Sequence, residues 1–439
     1  MGFLTFKGGV HPDDGKSLSK DQAIQTVEAG DKLYFSVSQH IGAPAKPIVE
    51  KGDHVLRGQM IAEAGGFVSA PVFSSVSGTV AGIEKKRMPA GNLMDCIVVE
   101  NDRKYEEIEY DQTDWHSLSK EEVLERIKNG GVVGMGGAGF PTHVKLSPKD
   151  PDKIDFIQVN GAECEPYLTS DYRMMIEHPD RVAEGLRIML SLFPHAKGQI
   201  CIENNKMDCV EKMKAATSGD SNIEVHVMKT KYPQGAERML IFANTGRAIN
   251  SSMLPADAGC IVDNVGTVCA VYEAVALGKP LMERIVTVTG DAANKPGNFL
   301  TPTGMLFSEV IEQAGGLKDG YEKLISGGPM MGFSVFTTEI PITKTSGGIL
   351  AMMKDEVAAA EPSACINCGR CVSACPEHLI PTRLAVYADH NDKKRFLAGD
   401  GMECCECGSC TFVCPAKRQL AQSIKSMRKI CLADRKKKK

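Results

Sequence analysis

The chain has 439 residues, 24% of them charged, with a formal net charge of -4 and 16 cysteines. That balance argues against a nucleic-acid binder, which would show a strong basic excess on one face. No apolar run approaches the roughly 18 residues of a spanning helix.

The length predicts about three domains at roughly 150 residues each. The opening Met1-Gly2-Phe3-Leu4-Thr5-Phe6 has neither a secretory signal nor the hydroxyl residue of a myristoylation site. The cysteines are therefore expected to stay reduced and to serve metals or redox chemistry. From Val37 to Val99 the chain reads as short strands and turns, with Ile48-Val49-Glu50-Lys51-Gly52-Asp53-His54-Val55 followed by Ala70-Pro71-Val72 and Val76-Ser77-Gly78-Thr79-Val80. These runs resemble the biotinyl/lipoyl sandwich. The turn that carries a modifiable lysine in such carriers is here Glu63-Ala64-Gly65-Gly66-Phe67, which has none. Residues 1–110 are thus expected to be a lipoyl-like docking or packing domain.

Residues 102–119 are acidic and polar, as a linker would be. A helix is predicted over Lys120 to Lys128, capped by Ser119, with Val123, Leu124 and Ile127 on one face. It runs into the glycine-rich stretch from Gly130 to Thr142. Within it Gly134-x-Gly136-x-x-Gly139 matches a dinucleotide fingerprint, but a helix precedes it where a Rossmann turn needs a strand. The expectation is a loop that presses its backbone against a phosphate or a flat ring.

A strand at 154–159 ends in Asn160-Gly161-Ala162-Glu163-Cys164-Glu165-Pro166-Tyr167, where open α/β sheets place ligand sites. Helical segments near 179–192 and strands at 198–202 and 225–228 continue the alternation. Two loops follow, Tyr232-Pro233-Gln234-Gly235-Ala236-Glu237 and Asp263-Asn264-Val265-Gly266-Thr267. Residues 284–346 read as a second small α+β region, with a strand at 285–290 and an amphipathic helix from Leu306 to Ala314.

The most specific signal comes last. Cys365-x-x-Cys368-x-x-Cys371-x-x-x-Cys375-Pro376 and Cys404-x-x-Cys407-x-x-Cys410-x-x-x-Cys414-Pro415 have the spacing of two [4Fe-4S] clusters, three thiolates on one loop and the fourth reaching the neighbouring cluster. The expected wiring is crossed: Cys365, Cys368, Cys371 and Cys414 on one cluster, Cys404, Cys407, Cys410 and Cys375 on the other. A zinc pair also accepts four thiolates but has no use for the third close cysteine or the proline. Cys405 is expected to be spare, and Cys96, Cys201, Cys209, Cys260, Cys269 and Cys431 to be small buried hydrophobes. The two runs resemble the two-cluster bacterial ferredoxins.

Taken in order, Gly-x-Gly-Gly-Ala-Gly-Phe-Pro-Thr, Asn-x-x-Glu-x-Glu-Pro, Tyr-x-x-Gly-x-Glu and Asn-Val-x-Thr resemble the flavin-bearing, NADH-oxidising subunit of respiratory complex I, and more closely the C subunit of the Rnf ion-pumping complexes. The resemblance covers nearly the whole chain. It implies a multidomain α+β and α/β protein: a lipoyl-like sandwich (1–110), a complex I-like FMN/NADH α/β domain (118–283), a β-grasp domain of the soluble-ligand-binding type (284–355), a two-cluster ferredoxin domain (356–420) and a basic tail (421–439). It also implies that Gly134, Gly136, Gly137, Asn160, Glu163, Gly235, Asn264 and Thr267 surround FMN, with Gly139 and Tyr232 also among the cofactor-binding residues. Phe140, Lys145, Glu165 and Glu237 would then lie towards NADH, with Phe140 stacking on a ring and Lys145 near a phosphate. Met135, Ala162, Ala236 and Asp263 depart from the complex I pattern.

Function follows from the same resemblance. A hydride brings two electrons at once and a cubane passes one, so a flavin is needed between NADH and the clusters. The implied role is the electron-input subunit of an ion-transporting ferredoxin:NAD oxidoreductase, peripheral on the cytoplasmic face, with membrane-embedded and ferredoxin-like subunits as partners. No side chain is expected to act as a nucleophile. Glu163 and Glu165 favour NADH over NADPH, because a 2′-phosphate would want a cation. The terminal basic run reads as a solvated tail worth at most about 5 kcal/mol against an anionic leaflet. The rival readings are a flavin subunit of a soluble bifurcating hydrogenase or formate dehydrogenase, and a non-enzymatic carrier with a vestigial flavin fold.

Overall fold

Alternating apolar residues build the N-terminal sandwich. In this computed structural model, which describes residues 3–437, its strands are β2 (Lys32–Ser36), β3 (Lys46–Pro47), β4 (His54–Val55), β5 (Met60–Glu63), β6 (Val72–Phe73), β7 (Gly78–Arg87) and β8 (Leu93–Asn101), following a short β1 (Ile24–Thr26). They form a β2-β8-β7-β4 sheet and a β3-β5-β6 sheet. Leu33, Phe35, Ile61, Ile97 and Val99 point inward and are buried. The readings that fall on Met1, Gly2, Lys438 and Lys439 lie outside the described residues.

The α/β domain begins with α1 (Lys120–Asn129), which Ser119 and Glu122 close with a reciprocal capping box. The glycine stretch and α2 (Thr142–Lys145) follow. Then come β9 (Phe156–Gly161), α3 (Ser170–Glu177), α4 (Pro179–Ser191), β10 (Lys197–Glu203), α5 (Met207–Ala216), β11 (Ile223–Met228), α6 (Glu237–Thr245), β12 (Cys260–Asn264) and α7 (Val265–Ala276). The four strands are parallel in the order β11-β10-β9-β12. Ile157, Val159, Ile200 and Ile202 pack with Leu186, Met189, Val268 and Val271 of α4 and α7, so the sheet is covered as a parallel sheet must be.

The β-grasp unit comprises β13 (Glu283–Thr289), β14 (Gly297–Pro302), α8 (Phe307–Gln313), β15 (Lys323–Ser326), β16 (Phe333–Val335) and β17 (Gly348–Met352). Its sheet runs β1-β14-β13-β17-β15-β16, with β1 paired in parallel to β14. The cluster region is helical: α9 (Arg370–Ala374), α10 (Pro381–Asp389), α11 (Lys393–Ala398), α12 (Ser409–Phe412) and α13 (Leu420–Lys437).

Two sequence expectations change here. Residues 421–437, set apart above as a tail, are the body of α13. Ile424, Met427 and Cys431 bury against Leu384, Phe396 and Met402, and each buried apolar side chain is worth about 1.5–3 kcal/mol, more than solvation of a free tail offers. Residues 3–26 contribute no strand to the two sandwich sheets. They form a strap in which Val10 pairs with Tyr232, Gly9 N donates to Ala374 O at 2.9 Å, Tyr167 N donates to Asp14 O at 2.6 Å, and β1 ends on the grasp sheet. The sandwich and the grasp unit moreover share one core, since Leu33, Phe35 and Ile97 are continuous with Val286, Phe299, Phe307 and Ile349.

Candidate flavin cradle and cluster cavities

After β9 the chain moves through β10 to β11 on one side and then returns to β12 on the other. The crevice beyond the carboxyl ends of β9 and β12 is therefore a topological switch point, where open α/β sheets bind ligands. Asn160, next to last in β9, and Asn264, which ends β12, sit opposite each other in register.

The glycine loop hangs over this crevice. Its neck is closed by pairing of Val133 with Pro141 and by Gly134 N donating to Phe140 O at 2.8 Å. Thr267, buried in the first turn of α7, accepts from Met135 N at 2.9 Å and ties the loop to that helix N-terminus. Gly136, Gly137 and Ala138 are exposed at the tip. A Cβ on Gly136 would lie 3.1 Å from Asn264 Cβ, whereas one on Gly137 would meet nothing within 4 Å. Gly139 has φ +71°, and a Cβ there would lie 3.0 Å from Gln39 O, His40 Cα and Thr345 Cγ2. The sandwich and the grasp unit thus form the back of the loop.

Beneath it, Asn160 Nδ2 donates to Gly235 O at 2.8 Å, which brings the 232–237 turn to the strand end. A Cβ on Gly235 would lie 3.2 Å from Cys164 Sγ and 3.3 Å from Asn160 Oδ1. Asn264 caps α7 by accepting from Gly266 N at 2.8 Å and donates from Nδ2 to Asp171 Oδ2 at 2.6 Å. Glu163, at φ +44°, accepts the Asp171 amide at 2.7 Å. Two buried carboxylate oxygens, Glu163 Oε2 and Asp263 Oδ2, have no hydrogen-bond donor among the described residues. Unmatched acceptors beside an exposed glycine loop at the start of a long helix suit a ligand with several hydroxyls and a phosphate, and FMN is such a ligand.

Other expected residues have protein partners of their own. Lys145 Nζ donates to Val262 O at 2.7 Å and pairs with Asp263 Oδ1 at 3.0 Å, so it meets the crevice as an ion pair and not as a free phosphate-binding ammonium. Burial opposes its charge, but Asp263 and Glu237 outweigh that and raise its pKa. Glu165, expected towards NADH, accepts from Met330 N at 2.6 Å and Met331 N at 3.1 Å of the grasp unit. Tyr232 is buried, and its hydroxyl donates to Cys407 O at 2.7 Å. Both make domain joints, because a satisfied backbone partner from a neighbouring domain holds each. Glu163 thus sits on the α3 amides and Glu165 on the 330–331 amides. Phe140 is half-buried at the loop's neck, and Glu237 is exposed at the first turn of α6.

The eight motif cysteines line two cavities. One, of about 120 Å³, is bounded by Cys365, Cys368, Cys371 and Cys414; a smaller one is bounded by Cys375, Cys404, Cys407 and Cys410. The runs share backbone detail: Asn367 and Glu406 have φ +55° and +59°, the following Gly369 and Gly408 have +74° and +79°, and His378 and Lys417 have +55° and +50°. Four thiols about each cavity fit a cubane, which would draw three ligands from one run and one from the other. Cys405 also borders the smaller cavity. That cavity lies against the Tyr232 turn and the strap, whereas Cys365 and Cys368 of the larger one are exposed. Cys96, Cys201, Cys209, Cys260, Cys269 and Cys431 are buried and line neither cavity.

Family models match along the chain: an RnfC barrel sandwich hybrid domain at residues 4–104, a Nuo51 FMN-binding domain at 127–273, an SLBB domain at 285–334 and a 4Fe-4S dicluster domain at 364–417. The C subunit of the Na(+)-translocating ferredoxin:NAD(+) oxidoreductase complex of Acetobacterium woodii is 42% identical over 99% of this chain and 98% of its own. The chain belongs to the RnfC family. Its counterpart in the proton-translocating ferredoxin:NAD(+) oxidoreductase complex of Clostridium ljungdahlii is 46% identical over 87% of this chain and 84% of its own. A solved NAD+-reducing [NiFe]-hydrogenase in the H2-reduced state shares the fold, with a TM-score of 0.52 at 18% identity over 71% of this chain and 63% of that one. As a member of the RnfC family the chain carries FMN-binding and two-cluster domains. Sequence reading passed over Asp171, Lys16 and Arg284. Asp171 alone left a signal, a carboxylate at the start of a helix soon after Glu163.

Proposed function

We propose that this chain is the peripheral electron-input subunit of an ion-translocating ferredoxin:NAD oxidoreductase, passing electrons between NAD(H), FMN and two [4Fe-4S] clusters. The observation that carries this reading is the joint between the two sites. The turn that contacts Asn160 through Gly235 also contacts the Cys407 loop through Tyr232, so one rigid segment spans from cradle to cavity. FMN, when bound, takes a hydride and releases single electrons. The chain's own residues position it. Gly134, Gly136, Gly137 and Gly139 supply close backbone approach, Asn160, Glu163, Asn264 and Thr267 shape the floor, and Phe140 and Glu237 stand at the mouth towards the nucleotide.

In this reading Cys375, Cys404, Cys407 and Cys410 hold the cluster nearer the flavin. Cys365, Cys368, Cys371 and Cys414 hold the one nearer the surface, where an electron-transfer subunit docks. Among the described residues no helix is long and apolar enough to cross a membrane. Attachment is therefore assigned to membrane-embedded and ferredoxin-like partner subunits at the cytoplasmic face. The RnfC sandwich match and the 42% relative favour this over the hydrogenase-type flavin subunit.

The test is anaerobic purification followed by flavin extraction, iron and acid-labile sulfide assays, and NADH-driven bleaching of the cluster absorbance. One flavin, two clusters' worth of iron and sulfide, and bleaching are expected. Absence of flavin with no bleaching, or zinc in place of iron, overturns the reading.

A further inference from the structure

We propose that Arg284, reaching back from the grasp unit, binds the phosphate of FMN and makes the cradle prefer FMN to a flavin without that phosphate. The inference rests on the reading above and deepens it.

Arg284 is the second residue of β13, the strand with which the grasp unit begins. Its side chain returns to the glycine loop and the start of α7. Nη1 touches Met135 Sδ, and a Cβ on Gly266 in the first turn of α7 would lie 3.0 Å from the same nitrogen. Met135 is also the loop residue whose amide Thr267 holds. Three features that favour an anion therefore converge here: a guanidinium, the N-terminus of a 12-residue helix and the backbone of a glycine loop. The amides of Gly136, Gly137 and Ala138 donate no hydrogen bond among the described residues.

The guanidinium is buried, with the residue 8% exposed, and little balances its charge. Nε donates to Ser346 O at 3.2 Å, Nη1 meets the weakly accepting Met135 sulfur, and Nη2 has no hydrogen bond among the described residues. The adjacent Glu283 is paired with Arg57 and Lys279. Asp171 favours the cation through space but spends Oδ2 on Asn264 Nδ2 at 2.6 Å. Burial, opposed by Asp171, pushes the Arg284 pKa down to about 10, so the group is charged at neutral pH. A buried cation without a counter-ion is costly, and a ligand phosphate supplies one.

The other cations around the cradle are engaged. Lys145 pairs with Asp263, Lys206 with Glu203, and Lys16 lies 3.6 Å from Glu163 while donating to two carbonyls. Lys344 donates to the carbonyls of Pro71 and Gly131. Among the described residues Arg284 is thus the cradle's cation left for a dianion, and a planar guanidinium suits phosphate oxygens. NADH carries phosphates too, but Phe140 and Glu237 stand for it at the mouth, whereas Arg284 lies behind the buried Met135.

The experiment uses the full chain freed of flavin under anaerobic conditions, with iron counted before and after. Quenching of flavin fluorescence gives Kd for FMN and for riboflavin in the unaltered protein, Arg284→Met and Arg284→Lys. The unaltered chain should prefer FMN. R284M should weaken FMN by about 10- to 150-fold, the range of a charge-assisted hydrogen bond, and leave riboflavin unmoved, while R284K recovers part of the difference. If R284M does not fold, Arg284→Gln, which keeps a donor for Ser346 O, carries the same comparison. Equal weakening of both flavins makes Arg284 a structural residue, and an unchanged FMN Kd leaves it no part in binding; either result overturns the inference. So does a loss confined to NADH, titrated against the FMN-loaded chain, which would assign the guanidinium to the dinucleotide. An unaltered chain that binds neither flavin overturns instead the function proposed above.

Discussion

Lys344 makes a prediction whose size can be worked out. It is 1% exposed, and its Nζ donates to Pro71 O of the sandwich and Gly131 O at the root of the glycine loop, both at 2.7 Å. No carboxylate among the described residues bonds it, and burial lowers its pKa from 10.5 to about 7. Below that value both folded and unfolded chains carry the ammonium and the full cost of burying the charge is present. As pH rises from 7 towards 10.5 the folded chain holds a neutral amine while the unfolded chain still binds a proton, so stability rises with pH. At 1.36 kcal/mol per unit, the Lys344 contribution improves by about 2.5 kcal/mol between about pH 6.5 and 9. Lys344→Met strands two carbonyls at a cost of about 1–3 kcal/mol each, a term that does not change with pH. Urea or thermal unfolding of the two proteins at both pH values should therefore show the unaltered chain gaining about 2.5 kcal/mol on the variant at the higher pH. An equal gap at both would show that Nζ does not titrate in this range, and the argument would fail.

Gly139→Val should cut flavin content severely while leaving both clusters, because a β-branched residue at φ +71° costs about 1–3 kcal/mol and its Cβ meets the sandwich at 3.0 Å; flavin and iron assays check it. Cys414→Ser should remove the cluster bounded by Cys365, Cys368 and Cys371 and leave about half the iron, with Cys404, Cys407 and Cys410 still liganded. Mössbauer or EPR spectra that lose features of both clusters equally would contradict the crossed division. Tyr232→Phe should cost about 1–3 kcal/mol by stranding the Cys407 carbonyl, and EPR titration should find the potential of one cluster shifted and the other unmoved. Shortening the strap by deleting residues 1–12 should slow NADH bleaching and expose the Cys375 loop to proteolysis, since Gly9 and Val10 bond Ala374 and Tyr232.

The cluster motifs were legible because three ligands of each set fall within seven residues, so spacing alone encodes the loop. The parallel strands and the glycine loop were legible for a similar reason: periodicity and glycine placement are local. The partners of Lys145, Glu165 and Tyr232 were not legible because Asp263, Met330 and Cys407 lie far along the chain. The tail was missed because Ile424, Met427 and Cys431 bury against Leu384, Phe396 and Met402, which local sequence does not place beside them.

The order of residues by itself determined four units, two cysteine sets and the loop that approaches a phosphate, since each depends on neighbours a few positions apart. Folding decided what joins them. The strap, the Lys344 pin, the shared core of sandwich and grasp unit, and the Asn264–Asp171 and Lys16–Glu163 contacts all depend on meetings that local spacing does not specify. Their meeting follows from burying apolar surface and satisfying buried polar groups together, which no local pattern records.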